Sequence, residues 1–237
     1  MIGVATRAIS VTLTIAAAPV IGTAQPGEPR LSPTFVHESW TVRDELPVNS
    51  INAVLQSRDG YIWVATFDGL ARFDGVRFTV FNSATSPGLP SNRIVSLQET
   101  RDGHLWLRTE DNQLVRFAGG RFTTFGRERG IAAGVTTIFE DTTGTVWIGS
   151  EGGLGVIRGD RFVRVAPDVI DGPVRAITQR ADGSIWVGVA GQGLFRIARD
   201  RASAVAGQPA ALVRGDIRAL EEDLSGSLWV GLNPDGI

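Results

Sequence analysis

The sequence predicts an all-β fold, a β-propeller of four-stranded antiparallel blades, and three periodic features predict it. The first is a tryptophan column. Trp63, Trp106, Trp147, Trp186 and Trp229 are spaced by 43, 41, 39 and 43 residues and include all but one Trp of the 237-residue chain. Each closes a short phrase that begins with a turn containing Gly, as in Asp59-Gly60-Tyr61-Ile62-Trp63 and Asp102-Gly103-His104-Leu105-Trp106. The second is a Gly-Leu or Gln-Leu pair seven or eight residues after the Trp (Gly69-Leu70, Gln113-Leu114, Gly153-Leu154, Gly193-Leu194), with Arg77, Arg121, Arg161 or Arg201 seven residues after each Leu. The third is an alternating apolar run before each turn, such as Ile51-Asn52-Ala53-Val54-Leu55-Gln56. Short strands bounded by Gly and Asp turns, repeated with a period near 41, are the pattern of one propeller blade per repeat.

The elements follow in order along the chain. Residues 1–24 read as a secretory signal peptide: Arg7, an apolar stretch from Ile9 to Ile21, and Gly22-Thr23-Ala24 as a small-x-small cleavage site. That apolar stretch is short beside the roughly 20 residues that a membrane span needs. Residues 25–50 hold a Pro-rich linker (25–33) and an orphan strand over 34–40, expected to complete the last blade of a closed ring and so remove an exposed sheet edge. Repeats follow over 51–92, 93–133, 134–173, 174–215 and, in part, 216–237. In the first repeat the four strands, a to d, are expected near 51–56, 61–66, 70–73 and 76–82. Four full blades, half a blade and the orphan strand suggest the amino-terminal part of a longer, seven-bladed ring, which needs roughly 90 more residues at this period. A five-bladed ring is the alternative. A chain with an open edge is expected to be marginal, homodimeric or aggregation-prone.

Composition removes several function classes. A formal net charge of −2 gives no electrostatic case for nucleic acid or an anionic membrane. All 23 basic residues are Arg. The chain has no Cys and two His, His37 and His104, so thiolate metal sites and nucleophile–His pairs have little to draw on. One Asp per turn falls short of the six to eight oxygens that calcium takes. No metal, cofactor or catalytic residue is expected. The glycine-rich stretch 149–155 lacks the Lys of a common phosphate-binding loop.

The stretch Leu46-Pro47-x-Asn49, a strand ending in Gln56, then Asp59-Gly60-x-x-Trp63-x-x-Thr66-x-x-Gly69-Leu70-x-Arg72-Phe73-Asp74-Gly75, resembles the two-component regulator propeller repeat. Later copies drift: Thr66 becomes Thr109, Ser150 and Val189, and the fourth copy has Ala202 in place of the strand-d Phe. The resemblance runs over residues 34–237. It implies the periplasmic sensory region of a membrane protein whose output domain is a histidine kinase or a diguanylate cyclase. On that reading the membrane is reached only through a segment downstream, and the propeller itself is non-catalytic.

Strand order sets the faces. The a–b and c–d turns share one face, and the b–c and d–a loops share the other. The second face is the more variable between copies, and recognition sits on such loops. Asn49, Phe67, Asp68, Asn92, Arg93, Glu110, Asp111, Glu151 and Gln192 are the candidate contacts there for a small molecule, a glycan or a periplasmic protein. The Trp column is expected to be inter-blade core, with Trp40 helping to seat the orphan strand. Two other readings compete: a secreted carbohydrate- or protein-binding propeller, and a propeller glycoside hydrolase or lyase using Glu110, Asp111 or Glu151.

Overall fold

The computed structural model describes residues 38–199 and 201–233. Four successive four-stranded antiparallel sheets are built from β1 (Ile51–Gln56), β2 (Ile62–Thr66), β3 (Gly69–Phe73) and β4 (Phe78–Phe81); β5 (Ile94–Glu99), β6 (Leu105–Thr109), β7 (Leu114–Ala118) and β8 (Arg121–Phe125); β9 (Val135–Glu140), β10 (Val146–Ser150), β11 (Gly153–Arg158) and β12 (Arg161–Arg164); and β13 (Val174–Gln179), β14 (Ile185–Val189), β15 (Gly193–Ala198) and β16 (Arg201–Ala204). A fifth sheet pairs β17 (Asp216–Glu222) with β18 (Leu228–Asn233). Strands in each sheet neighbour one another in chain order, the meander of a propeller blade. The chain therefore forms four blades and the inner half of a fifth among the described residues.

The repeated phrases have local causes. In each a–b turn the Gly takes a positive φ (Gly60 91°, Gly103 77°, Gly144 86°, Gly183 80°, Gly226 82°), a conformation costly for other residues. The Gly of Gly-Leu serves close approach. A Cβ on Gly69 would sit 2.7 Å from the Phe81 carbonyl oxygen of its own blade. In the second blade the pair reads Gln113-Leu114, and Asn112 just before it takes the positive φ, 61°.

The core lies in layers between neighbouring blades. Trp63, Leu70, Leu107, Val115 and Phe122 fill the space between the first and second. Trp106, Leu114, Phe125, Ile148 and Phe162 fill the next, and Leu154, Val174, Val187 and Phe195 the third. Trp63 and Trp106 are 4% and 2% exposed. Trp147 and Trp186 are half-buried. Trp229 departs from the expected core role: it is 57% exposed, because its sheet has two strands among the described residues and nothing described covers its outer side.

Each indole N–H is anchored to its own turn. Trp63 donates to Ser57 Oγ at 3.1 Å, Trp106 to Thr100 Oγ1 at 3.2 Å, Trp147 to Asp141 Oδ2 at 2.8 Å and Trp229 to Asp223 Oδ2 at 2.8 Å. Each acceptor lies six residues before its Trp. In the fourth blade that position is Arg180, and Trp186 turns to Ser184 Oγ at 3.0 Å.

The turns are in turn joined blade to blade. The last side chain of strand a caps a backbone N–H of the preceding blade's turn: Glu99 accepts from Arg58 N at 3.1 Å, Glu140 from Arg101 N at 2.9 Å, Gln179 from Thr142 N at 2.7 Å and Glu222 from Ala181 N at 2.7 Å. Arg58 Nη1 also donates to the Arg101 carbonyl at 2.8 Å, and Arg101 Nη1 to that of Thr142.

Every inner strand carries a one-residue register shift near its start, skipping Asn52, Val95, Thr136, Arg175 and Arg218. A bulge re-aims the skipped side chain. Asn52 Nδ2 thereby reaches the Ile94 carbonyl of the next blade at 2.8 Å, and Thr136 Oγ1 that of Val174.

Two expectations need adjustment. Of the orphan strand over 34–40, residues 34–37 lie outside the described residues, as does the leader, and 38–40 carry no strand. Trp40 instead packs on Phe73 of β3, ring centroids 5.1 Å apart. The fourth d–a loop contains a one-turn helix, α1 (Ala210–Arg214), that strand periodicity does not anticipate. Pro209 precedes it, and the Gly215 N–H closes it on the Ala211 carbonyl at 2.8 Å.

Trp106→Ala is expected to cost about 3–5 kcal/mol, and Trp229→Ala about 1 kcal/mol or less, in denaturant unfolding. Comparable losses for both would show that the fifth sheet is covered in solution. Glu140→Ala, which uncaps the Arg101 N–H, should cost about 1–2 kcal/mol, with Glu140→Gln retaining most of the stability.

Candidate functional site

The b–c and d–a loops place the candidate residues in separate groups. The largest lies at the junction of the first two blades. Arg93, just before β5, forks onto Glu110, just after β6, with Nη2 to Oε1 at 3.0 Å and Nε to Oε2. The two positions are adjacent because β5 and β6 are antiparallel neighbours, and the Glu110 N–H continues their ladder to the Arg93 carbonyl at 2.8 Å. The Arg93 guanidinium also lies over the Phe67 ring, 4.4 Å from its centroid, a cation–π contact. Asn92 bridges the d–a loop, accepting from Ser83 N at 2.7 Å and donating to Asp68 at 3.4 Å. Asp111 turns away, accepting from Thr109 Oγ1 at 2.5 Å and from Gln113. Phe67, Asp68, Asn92, Arg93 and Glu110 thus form one connected patch.

The second group centres on Arg175, which is outside the sequence candidates. Glu151, in the third b–c loop, is held by Arg175, the bulge residue of β13, with Nη1 to Oε1 at 2.6 Å and Nη2 to Oε2 at 3.2 Å. Arg175 Nε faces Asp216 Oδ1 at 3.7 Å, and Asp216 Oδ2 takes Arg218 Nη2 at 2.6 Å. Neither Arg175 Nε nor Asp216 Oδ1 completes a hydrogen bond. The row Glu151–Arg175–Asp216–Arg218 runs across three blades. Its sequence signal is Arg at the bulge position of the fourth and fifth copies, where the first three carry Asn52, Val95 and Thr136.

The remaining candidates stand apart. Gln192 donates to Asp171 Oδ1 at 3.0 Å. Asn49 caps the short 3₁₀ turn Val42–Asp44, accepting from Val42 N at 2.9 Å, which is a local structural task.

The electrostatics favour holding charge over transferring protons. The hydrogen bond from Arg93 lowers the Glu110 carboxyl below its ordinary range and raises Arg93. The Thr109 hydroxyl does the same for Asp111. A carboxylate stabilised as the anion is a poor general acid. On the turn face, His104 Nδ1 lies 2.7 Å from Asp102 Oδ2. Among the described residues no three His, Cys, Asp or Glu side chains gather as a metal site would require, and no helix is long and apolar enough to cross a membrane.

A cleft of about 570 Å³ opens on the turn face, between the third and fourth blades. Thr143, Gly144, Thr145, Trp147, Val156, Ile157, Arg158, Val165 and Ile197 line it. It is on the face opposite to the loop-face candidates.

The family model of the two-component regulator propeller matches residues 45–68 and 88–111, which span the inner hairpins of the first two blades. No curated protein matches the sequence. The fold is that of two extracellular domains described as belonging to hybrid two-component systems of B. thetaiotaomicron. One has a TM-score of 0.64 at 22% identity over 81% of this chain, the other 0.55 at 22% over 75%. This chain spans about a quarter of each of those domains, 26% and 25%. Virginiamycin B lyase of Staphylococcus aureus shares the fold at a TM-score of 0.57 and 16% identity, over 78% of this chain and 64% of the lyase.

Turn-face carboxylates set the acid response. Burial pushes Asp141 and Asp102 up, but the Thr143 hydroxyl and Trp147 N–H on the first, and the Thr100 hydroxyl and His104 N–H on the second, outweigh it and leave both below the ordinary value. The Ser184 hydroxyl lowers Asp182 in the same way. These groups stay ionised in the folded state where the unfolded chain, with Asp near 3.9, begins to take up protons. Their stabilisation is therefore complete above about pH 5 and is lost as pH falls below about 4 through the folded values. Thermal unfolding should show a midpoint that is flat from pH 7 to 5 and drops by pH 3, with a shallower drop in Asp141→Asn.

Proposed function

We propose that this chain, which carries two-component regulator propeller repeats in its first two blades, is the sensory propeller of a membrane-bound signalling protein and works on the outer side of the cytoplasmic membrane. The observation that carries the reading is the match of that repeat model to the inner hairpins of two consecutive blades, on a scaffold that repeats the same turn and Trp positions. The shared fold with extracellular domains of two-component systems supports it. The amino-terminal leader pattern supplies export, and the output domain is a histidine kinase or a diguanylate cyclase. The blades bind rather than catalyse: their loop face offers paired Arg and carboxylate groups and the Phe67–Arg93 contact to a small molecule, glycan or periplasmic protein.

Two experiments test this. An alkaline phosphatase reporter fused after Glu45 should be active in cells with residues 2–24 present and inactive without them. Activity independent of those residues, or none in either form, would remove the export premise. Reading the gene onward from codon 237 should reveal a membrane-spanning segment and a kinase or cyclase domain. A stop codon at that point would instead make the chain a free exported binding protein.

A further inference from the structure

The turn-face cleft has an internal template. In the first blade the matching space is full: the Arg72 guanidinium lies over Tyr61 at 4.4 Å and over Trp63 at 5.7 Å. Phe81 stacks on Trp63 at 5.8 Å, and Phe117 of the next blade meets its edge at 5.3 Å. In the repeat register these four positions correspond in the third blade to Thr145, Val156, Val165 and, from the fourth blade, Ile197. All four are smaller, and all four line the cleft. The second blade keeps Arg116 and Phe125 against Trp106, at 5.8 and 5.2 Å. Among the described residues no aromatic ring stacks on Trp147 and no guanidinium lies over it.

The cleft is therefore a repeat position that lacks three aromatic rings and a cation while the indole remains. Its N–H is fixed by Asp141, so the ring is held in one orientation. Van der Waals contact is left unmade on that indole face, and aromatic pairs gain beyond area alone. The volume falls within the range of small-molecule pockets. At the rim stands Arg158, exposed and without an ion pair among the described residues. An exposed, unpaired guanidinium suits a carboxylate.

We infer that this cleft is a binding site for a planar aromatic carboxylate, the ring stacked on Trp147 between Val165 and Ile197 and the carboxylate on Arg158. The site is independent of the loop face and of the sensory reading.

Calorimetry or ligand-observed NMR on the purified chain tests it with 3-phenylpropanoate and indole-3-acetate, up to about 5 mM. The aromatic acids should bind, and the ring-saturated 3-cyclohexylpropanoate should bind clearly less well. Arg158→Ala should weaken the acids about tenfold, as expected for one lost charge-assisted contact, and leave 3-phenylpropanamide unchanged. Val156→Arg refills the cleft as the first blade does and should abolish binding. Val165→Phe, at a half-buried position, gives the same test should the first variant fail to fold. Absence of binding by any aromatic acid, equal affinity for the saturated ring, or binding that survives a folded cleft-filling variant would each overturn the proposal.

Discussion

The structure depends on a relay at the a–b turns. Each turn receives the indole N–H of its own Trp, and the first four also have a backbone N–H capped by Glu99, Glu140, Gln179 or Glu222 of the blade that follows. A turn is where strands stop supplying hydrogen-bond partners to one another, so its orphan groups need another source. Here that source is the neighbouring blade. One local device thus satisfies the turn, fixes the Trp that fills the inter-blade layer and sets the position of the next sheet. The cost of burying so large a side chain with a polar atom is avoided because its N–H never lacks an acceptor.

With the turns fixed, each layer is free to vary in what it packs. The first layer is aromatic, with Trp63, Phe81, Phe117 and Phe122 in mutual contact. The third is largely aliphatic, with Val174, Val187, Val189 and Ile197. Aromatic-to-aliphatic replacement at a fixed blade spacing leaves space, and the turn-face cleft is that space. The loop face varies for a different reason. Its side chains answer to no inter-blade layer, so charge accumulates there as Arg93–Glu110 and as the row from Glu151 to Arg218. The bulge near the start of β13 aims Arg175 across to Glu151 of the preceding blade.

Much of this was readable from the chain. The strand positions of the first copy fall within two residues of the observed ends. The family resemblance rests on the motif between Leu46 and Gly75, and the repeat model matches that motif as far as Asp68. The loop-face candidates are less uniform. Arg93 and Glu110 come together because β5 and β6 are antiparallel neighbours, and Phe67, Asp68 and Asn92 join them across the blade junction, whereas Asn49 caps a turn and Gln192 pairs with Asp171. Arg175 and Arg218 carry no signal within one strand, because a bulge shows only as a register shift against the partner strand. The helix Ala210–Arg214 is too short for a helical period to register.

The class of fold, the blade period, the turn chemistry and the identity of the recurring core residue are legible in the chain alone, because each is a local or periodic property. Gly is favoured where φ is positive, and alternation must match a pleat. The tertiary structure decided how a column of identical residues comes to occupy unlike environments. Trp106 is sealed, Trp147 faces a cleft and Trp229 stands exposed, although all three close nearly the same phrase. Burial and vacancy depend on the side chains of the adjacent blade, roughly 40 residues away, and only the packed structure brings those side chains to the same ring.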